Sequence, residues 1–251
     1  MDYEYLSRAV GQVAAGWSGP ASAATREVVP GWAIGVLREV ADGGRPVRAV
    51  RHPLGFTCLP VERAGRDGVC VHVWSPRAGR AAAATSQVHA HCWELTSYVL
   101  FGRLENRIMR VAEAAGLHGG GALPARRDGE PGLYRVLDVR SGVAAEPEEA
   151  VDELVPTARL VHCVPGQRQL IGPGDVYSVP AGVFHATHVP AGTEAATVAL
   201  GRLVPGAPDW ALGPPGSEPR RDRRDQRDAG QTAEVARIVL GRLLTATPCP
   251  T

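Results

Sequence analysis

Apolar residues recur at helical spacing near the N-terminus and then change period. Tyr3, Tyr5, Leu6, Val10 and Val13 lie near one helical stripe, and Gly19-Pro20 breaks it. Trp32-Ala33-Ile34-Gly35-Val36-Leu37 leads a second amphipathic stretch, so residues 2–42 are expected to be helical. From about residue 47 the period moves toward two. Gly55 to Leu59 and Val69 to Trp74 read as strands separated by the turn-rich Arg63 to Gly68, and Ser75-Pro76-Arg77-Ala78-Gly79 closes the second of them. After an alanine-rich connection, Leu95 to Phe101 forms a strand that ends at Gly102, and Arg103 to Val111 continues the sheet with alternating charged and apolar residues. Residues 112–132 read as loop, Leu133 to Val139 as a strand, Glu146 to Leu154 as an acidic solvated loop or short helix, and Arg159 to Val164 as a further strand. Val176 to Val179 and Ala195 to Val204 follow as strands. Pro205 to Asp228 is a Pro-, Gly- and Arg/Asp-rich connector, and Thr232 to Leu244 is an amphipathic helix with Val235, Ile238, Val239, Leu243 and Leu244 on one side. The chain is therefore expected to be mainly β. It divides into an N-terminal helical segment (1–46), a β body (47–204) with an insertion around 112–156, and a connector with a C-terminal helix (205–251).

Composition narrows the function more by exclusion than by suggestion. A chain of 251 residues that is 44% hydrophobic can bury one large core. A net charge of +1 gives no electrostatic case for nucleic acid or an anionic membrane. The run RRDRRDQRD alternates in sign and reads as a solvated face. The sequence holds no lysine, which removes Schiff-base chemistry, pyridoxal phosphate attachment and a phosphate-loop lysine. No apolar run reaches the roughly 18 to 20 residues of a membrane span, and MDYEYLSRAV has no basic region leading into an apolar one, so a cytoplasmic protein is expected. Five cysteines without a CxxC pair argue for reduced thiols rather than a disulfide framework. Cys92 directly follows His91, and strand parity turns it away from its neighbour's face, which favours a structural role.

Chemistry is concentrated in two distant stretches, His89-Ala90-His91-Cys92-Trp93-Glu94 and the run GDVYSVPAGVFHATH from Gly174 to His188. A single histidine is more often a surface or satisfied core residue than a ligand, but these spacings act together. In a strand, His89 and His91 project to the same side about 6 to 7 Å apart at Cα, close enough for two imidazoles to meet on one ion. In the second stretch a tight turn at Pro180-Ala181-Gly182 redirects the chain and carries His185 inward. Together they predict one metal site. Neutral imidazoles suit iron, nickel, copper, zinc or manganese, and three facial ligands leave room on an octahedral ion for a bidentate substrate and O2.

His-x-His, the Glu and Gly102 after it, and Gly174-x5-Pro180-x-Gly182-x2-His185 resemble the two motifs of the cupins. The resemblance implies a double-stranded β-helix, a jelly-roll barrel, with a metal inside and the N-terminal and C-terminal helices packed around it. It implies His89, His91, His185 and Glu94 as metal ligands. Glu94 follows His91 after only two residues, and parity places Trp93 and Leu95, not Glu94, on the face of the histidines. Phe56 to Cys58, Val69 to Trp74 with Ser75-Pro76, His89-x-His91 and Gly102-Arg103-Leu104-Glu105 are similar to the cysteine dioxygenase-type thiol dioxygenases. That second resemblance implies Fe(II) with O2 as co-substrate. The carboxylate-binding Arg of that family would fall near Cys58, and its Ser-His-Tyr set near Thr197, Ala199 and Gly201, so the metal framework is kept while the substrate handling differs.

The candidate residues for handling a small acidic substrate are Arg103, Arg159 and Thr187 for binding, with Tyr98 and Tyr177 as candidate catalytic groups; all lie in or beside predicted strands. Thr187 and Val189 share the face of His185. The expected function is an O2-using oxygenase acting on cysteine or another small thiol or amino acid in a specialised biosynthetic pathway. A redox-neutral metal lyase or isomerase and a non-catalytic small-molecule binder are the alternatives. No helix-turn-helix stands beside the strands. The C-terminal helix packs either on the β body or on a second subunit of a homodimer.

Overall fold

The fold is seen in a computed structural model, which describes residues 2–78, 87–114, 131–141 and 151–246. In chain order, α1 (Asp2–Val10), β1 (Ser18–Pro20) and α2 (Ala23–Ala41) precede the short β2 (Val50–Arg51) and the hairpin β3 (Thr57–Ala64) and β4 (Asp67–Trp74). The two-residue β5 (His89–Ala90) leads to β6 (Trp93–Phe101), β7 (Leu104–Glu113), β8 (Gly132–Ser141) and the long β9 (Val151–Ile171). After β10 (Asp175–Val179), β11 (His185–His188) and β12 (Ala195–Leu203) come β13 (Trp210–Gly213), β14 (Arg220–Arg223), β15 (Asp225–Gln226) and α3 (Ala229–Ala246).

The helices have local causes. Asp2 and Glu4 sit in the first turn of α1 and Arg8 in its last, each matching the helix dipole. Ser22 caps α2 by accepting from the Thr25 amide at 3.1 Å. At the start of α3, Asp228 accepts from the Gln231 amide while the Gln231 side chain accepts from the Asp228 amide, a reciprocal cap.

The mainly β expectation holds, with two antiparallel sheets. The first runs β1-β10-β6-β12-β4-β3-β2-β15; the second runs β14-β9-β7-β11-β5-β13-β8, and β8 also pairs with β9. Strand parity gives the first sheet two unlike faces. Leu59, Val61, Val69, Val71, Val73, Tyr98, Leu100, Val198 and Leu200 lie in one core with residues of all three helices. Phe56, Cys58, Trp74, Val99, Tyr177 and Val179 lie on the other side, packed with Leu104 and Ile171 from the second sheet.

The turn between β6 and β7 explains Gly102. Its φ is +78°, and a Cβ there would lie 2.1 Å from the Glu194 carbonyl oxygen, so backbone meets backbone where no side chain fits.

Several stretches differ from expectation. Residues 11–20, inside the span read as helical, leave the helix after Val10, and Ser18–Pro20 pair with β10 as β1. Residues 151–154, read as loop or short helix, are strand, because β9 is paired there on both edges, by β8 and by β14. Residues 205–228, read as a connector, contribute β13, β14 and β15 to the sheets. The charged run is thus edge strand, where alternating Arg and Asp suit a face half in water. The expected loop over 115–130, the alanine-rich 79–86 and the acidic 146–150 lie outside the described residues.

Candidate functional site

The site begins with β5, which is only two residues long but is hydrogen-bonded on both edges. His185 of β11 is the direct partner of His89, and Ala211 of β13 is the partner of His89 on its other edge. Backbone pairing therefore sets two of the three histidines side by side. The third is fixed by the turn after β10, where Gly182 has φ +73° and Val183 N–H donates to the Pro180 carbonyl, the left-handed third position of a tight turn. The amide of Gly182 then donates to the His91 carbonyl at 2.9 Å.

The three rings converge. His89 and His185 have centroids 4.3 Å apart, His91 and His185 4.9 Å, and His89 and His91 6.0 Å. Three imidazoles sharing one ion at about 2.1 Å per metal–nitrogen bond place their centroids about 4.5 to 5.5 Å apart, so the observed spacings bracket that range.

Tautomers follow from the partners. The Nδ1 of His89 faces the Gln87 carbonyl at 3.0 Å, that of His91 the Trp93 carbonyl at 2.6 Å, and that of His185 the Val183 carbonyl at 3.2 Å. A carbonyl oxygen can only accept, so each Nδ1 carries the proton and each Nε2 keeps its lone pair. The Nε2 of His91 is buried with no hydrogen-bond partner. Burial also keeps the rings neutral. It lowers His89 to about 4 with help from the nearby His91, lowers His91, and holds His185 well below the ordinary imidazole range with His89 and His91 adding to the effect. Fixed tautomers, neutral rings and an orphaned inward nitrogen are what metal-binding histidines require.

These rings line a cavity of about 430 Å³ between the sheets. Of the other predicted residues, Tyr177 and Thr187 line it. Burial pushes the Tyr177 phenol up to about 12, so it keeps its proton. Thr187 donates to the Asn106 side-chain oxygen at 3.4 Å.

The remaining candidates lie elsewhere. Glu94 is exposed and shares the parity of Tyr98 and Leu100, which face the helices. It does not join the histidines, because no register shift falls between it and Tyr98 where β6 pairs with β12. Tyr98 is buried in the helix-facing core for the same reason. Arg103 is exposed in the turn after β6. Arg159 pairs with Glu113 at 2.6 Å, and its guanidinium lies 4.3 Å from the centroid of the Trp210 ring.

The cavity also holds groups that pattern reading passed over. Cys58, Cys70 and His72 line it, and their ligand atoms all lie within 4.8 Å of one another, a group able to hold a metal. Cys70 is held well below the ordinary thiol range by the Cys58 hydrogen bond, with His72 beside it adding to the effect. Asp209, from the stretch read as connector, lines the cavity; its carboxylate accepts from the Cys92 amide at 2.7 Å and from the Cys92 thiol at 3.2 Å. Burial and that carboxylate push Cys92 up to about 12, leaving it an inert thiol. Arg63 lines the cavity with its guanidinium 5.7 Å from the centroid of the Trp93 ring. Arg224 forms an ion pair with the buried Asp152 at 2.7 Å. The parity of β4 was the available signal for Cys70 and His72, since both alternate with the buried valines.

No helix among the described residues is long and apolar enough to cross a membrane. No family model matches the chain, and no curated protein matches it. Among solved structures, one match is the X-ray structure of ycfD from E. coli, at 13% identity and a TM-score of 0.27. The alignment covers 94% of this chain and 50% of that one, and a likeness at this level carries no argument.

Proposed function

We propose that the chain is a mononuclear non-haem metal oxygenase built on a cupin-type jelly-roll barrel. His89, His91 and His185 hold one divalent transition metal, Fe(II) in this reading, and the co-substrate is O2. The observation that carries the reading is the cluster of three buried imidazoles, with ring centroids 4.3 to 6.0 Å apart and each Nδ1 facing a backbone carbonyl.

A metal bound there supplies open coordination positions and redox chemistry toward O2. The chain supplies the surroundings. Three neutral imidazoles leave a divalent charge uncompensated in a buried space, which favours an anionic ligand. The nearby carboxylates are already engaged, Asp209 by Cys92 and Asp152 by Arg224. A thiolate or carboxylate of the substrate answers that need, and cysteine or another small thiol or amino acid fits the cavity. In this reading Arg63, which lines the cavity, takes the substrate-binding role in place of Arg103 and Arg159. Tyr177, protonated at neutral pH, offers a donor to the bound molecule, while Phe56, Trp74 and Leu95 exclude water.

The test is metal analysis of the purified protein followed by oxygen-electrode assays over cysteine, other thiols and small amino and hydroxy acids. Metal-dependent O2 uptake that is lost in His89→Ala is the expected result. A metal-loaded protein that consumes no O2 with any of them overturns the oxygenase reading in favour of a redox-neutral lyase, isomerase or binder.

A further inference from the structure

In the same cavity as the three imidazoles, the inner face of the β3–β4 hairpin carries a second donor set of different character. Cys58 and His72 are direct partners in the register, and Cys70 lies two residues back along β4 on the same face. All three line the cavity. The His72 ring is held by aromatic neighbours, with Phe56 at 4.6 Å and Trp74 at 6.1 Å between centroids. Cys58 and Cys70 are free thiols.

Register argues against a disulfide between them. Pro60, not Cys58, is the partner of Cys70, so the two cysteines are diagonal neighbours. Diagonal positions lie about 7 to 8 Å apart at Cα, beyond the roughly 4.4 to 6.8 Å that a disulfide spans. The ligand atoms themselves are close, within 4.8 Å. Ligands of one tetrahedral ion lie about 3.3 to 3.8 Å apart, so side-chain adjustment without strand movement brings them into place.

We propose that Cys58, Cys70 and His72 form a second metal site, separate from the three imidazoles, that takes a soft or borderline d10 ion, Zn(II) or Cu(I). Thiolate donors select such ions over the harder ones. On binding Zn(II), two metal–sulfur bonds form from the thiolates of Cys58 and Cys70, whatever thiol proton is present passing to solvent, and His72 gives a neutral imidazole nitrogen. Two thiolates then cancel the divalent charge, so the site is electrically neutral in a cavity walled by Phe56 and Trp74. The three-imidazole site has no such compensation, and this difference separates the ions the two sites prefer.

The experiment uses the full chain stripped of metal under reducing conditions. Zn(II) and, anaerobically, Cu(I) are titrated in separate arms against a chromophoric chelator, and Co(II) serves as a spectroscopic probe. Wild type is expected to bind about two equivalents of Zn(II), Cys58→Ser/Cys70→Ser about one, and His89→Ala/His91→Ala about one with the thiolate-to-Co(II) charge-transfer band intact. Tight Cu(I) binding with weak Zn(II) binding assigns the site to copper. Absence of the charge-transfer band in Co(II)-loaded wild type, with no Cu(I) binding that the cysteine variant loses, overturns the proposal, as does an unchanged stoichiometry for both ions in the cysteine variant. Should that variant fail to fold, alkylation of wild type decides, since Zn(II) or Cu(I) must protect Cys58 and Cys70 together. Loss of O2 uptake in the oxygen-electrode assay leaves this result untouched, so the two readings fail separately.

Discussion

On β4, Val69, Val71 and Val73 face the helices while Cys70, His72 and Trp74 face the cavity, and on β12 Val198 and Leu200 face the helices while Ala199 and Gly201 face the cavity. The same backbone carries both sets. On the helix side, branched aliphatics close the space completely, with Leu59, Val69 and Val71 wholly buried. On the cavity side, small residues stop short of the second sheet, and polar donors occupy the margin they leave. A sheet that packed both faces equally well would have no room for chemistry; here incomplete packing on one face is tolerated because the other is filled.

Substitutions that separate the two faces test this contrast. The largest effect should come from His185→Ala, which removes the ligand paired with His89 and should lower affinity for the metal of the three-histidine site by at least about 100-fold. Metal titration in the Cys58→Ser/Cys70→Ser background checks it, and retained affinity would end the proposed triad. Leu59→Ala opens a hole on the helix face and should cost about 2 to 5 kcal/mol in chemical denaturation while leaving metal binding unchanged. A metal defect in that variant would mean the faces are not independent.

Titration sharpens the comparison from the cavity side. His89, His91 and His185 have folded values below the ordinary 6.5, so the unfolded chain binds more protons between the two ranges. Stability of the metal-free protein is therefore fully present above about pH 6.5 and falls as pH drops toward about 4, by on the order of 2 to 3 kcal/mol from His89 alone. Thermal melts across that window should show the decline, and a flat profile would contradict neutral buried rings. Ala199→Leu gives the cavity face the side chain its neighbour Leu200 already presents to the helices. It should reduce kcat/KM by about tenfold with the metal retained, as measured by O2 uptake. Glu94→Gln should change neither metal content nor stability by more than about 0.5 kcal/mol, and loss of metal in it would return Glu94 to the ligand set.

Local pattern was enough for much of the fold. The helical stripes, the strands from β3 to β7 and the three histidines each follow from periodicity or from a spacing contained within a few residues. Parity also separates Trp93 and Leu95 from Glu94. Carried on along β6 it turns Tyr98 toward the helices, a signal that the choice of Tyr98 as a catalytic candidate overlooked. What pattern could not reach depends on partners far along the chain. Residues 151–154 are acidic enough to read as loop, yet strands on both edges hold them extended. Asp209 and the Arg224–Asp152 pair sit in Pro- and charge-rich sequence whose place in the sheets is set by pairing rather than by propensity. Cys58, Cys70 and His72 belong to strands that were legible, but their convergence depends on the register of β3 against β4, which no single strand contains.

The brevity of β5 has a consequence for how the protein is made. Cys92 and its anchor Asp209 are 117 residues apart, so at roughly 5 to 20 residues per second the ribosome leaves the first two imidazoles unsupported for roughly 6 to 23 s. For most of that interval His89 and His91 lack His185 and β11, and for all of it they lack β13, so the two strands that border β5 are not both present until it ends. The three-imidazole arrangement is thus complete only after β13 has docked, so the metal binding proposed for it is post-translational.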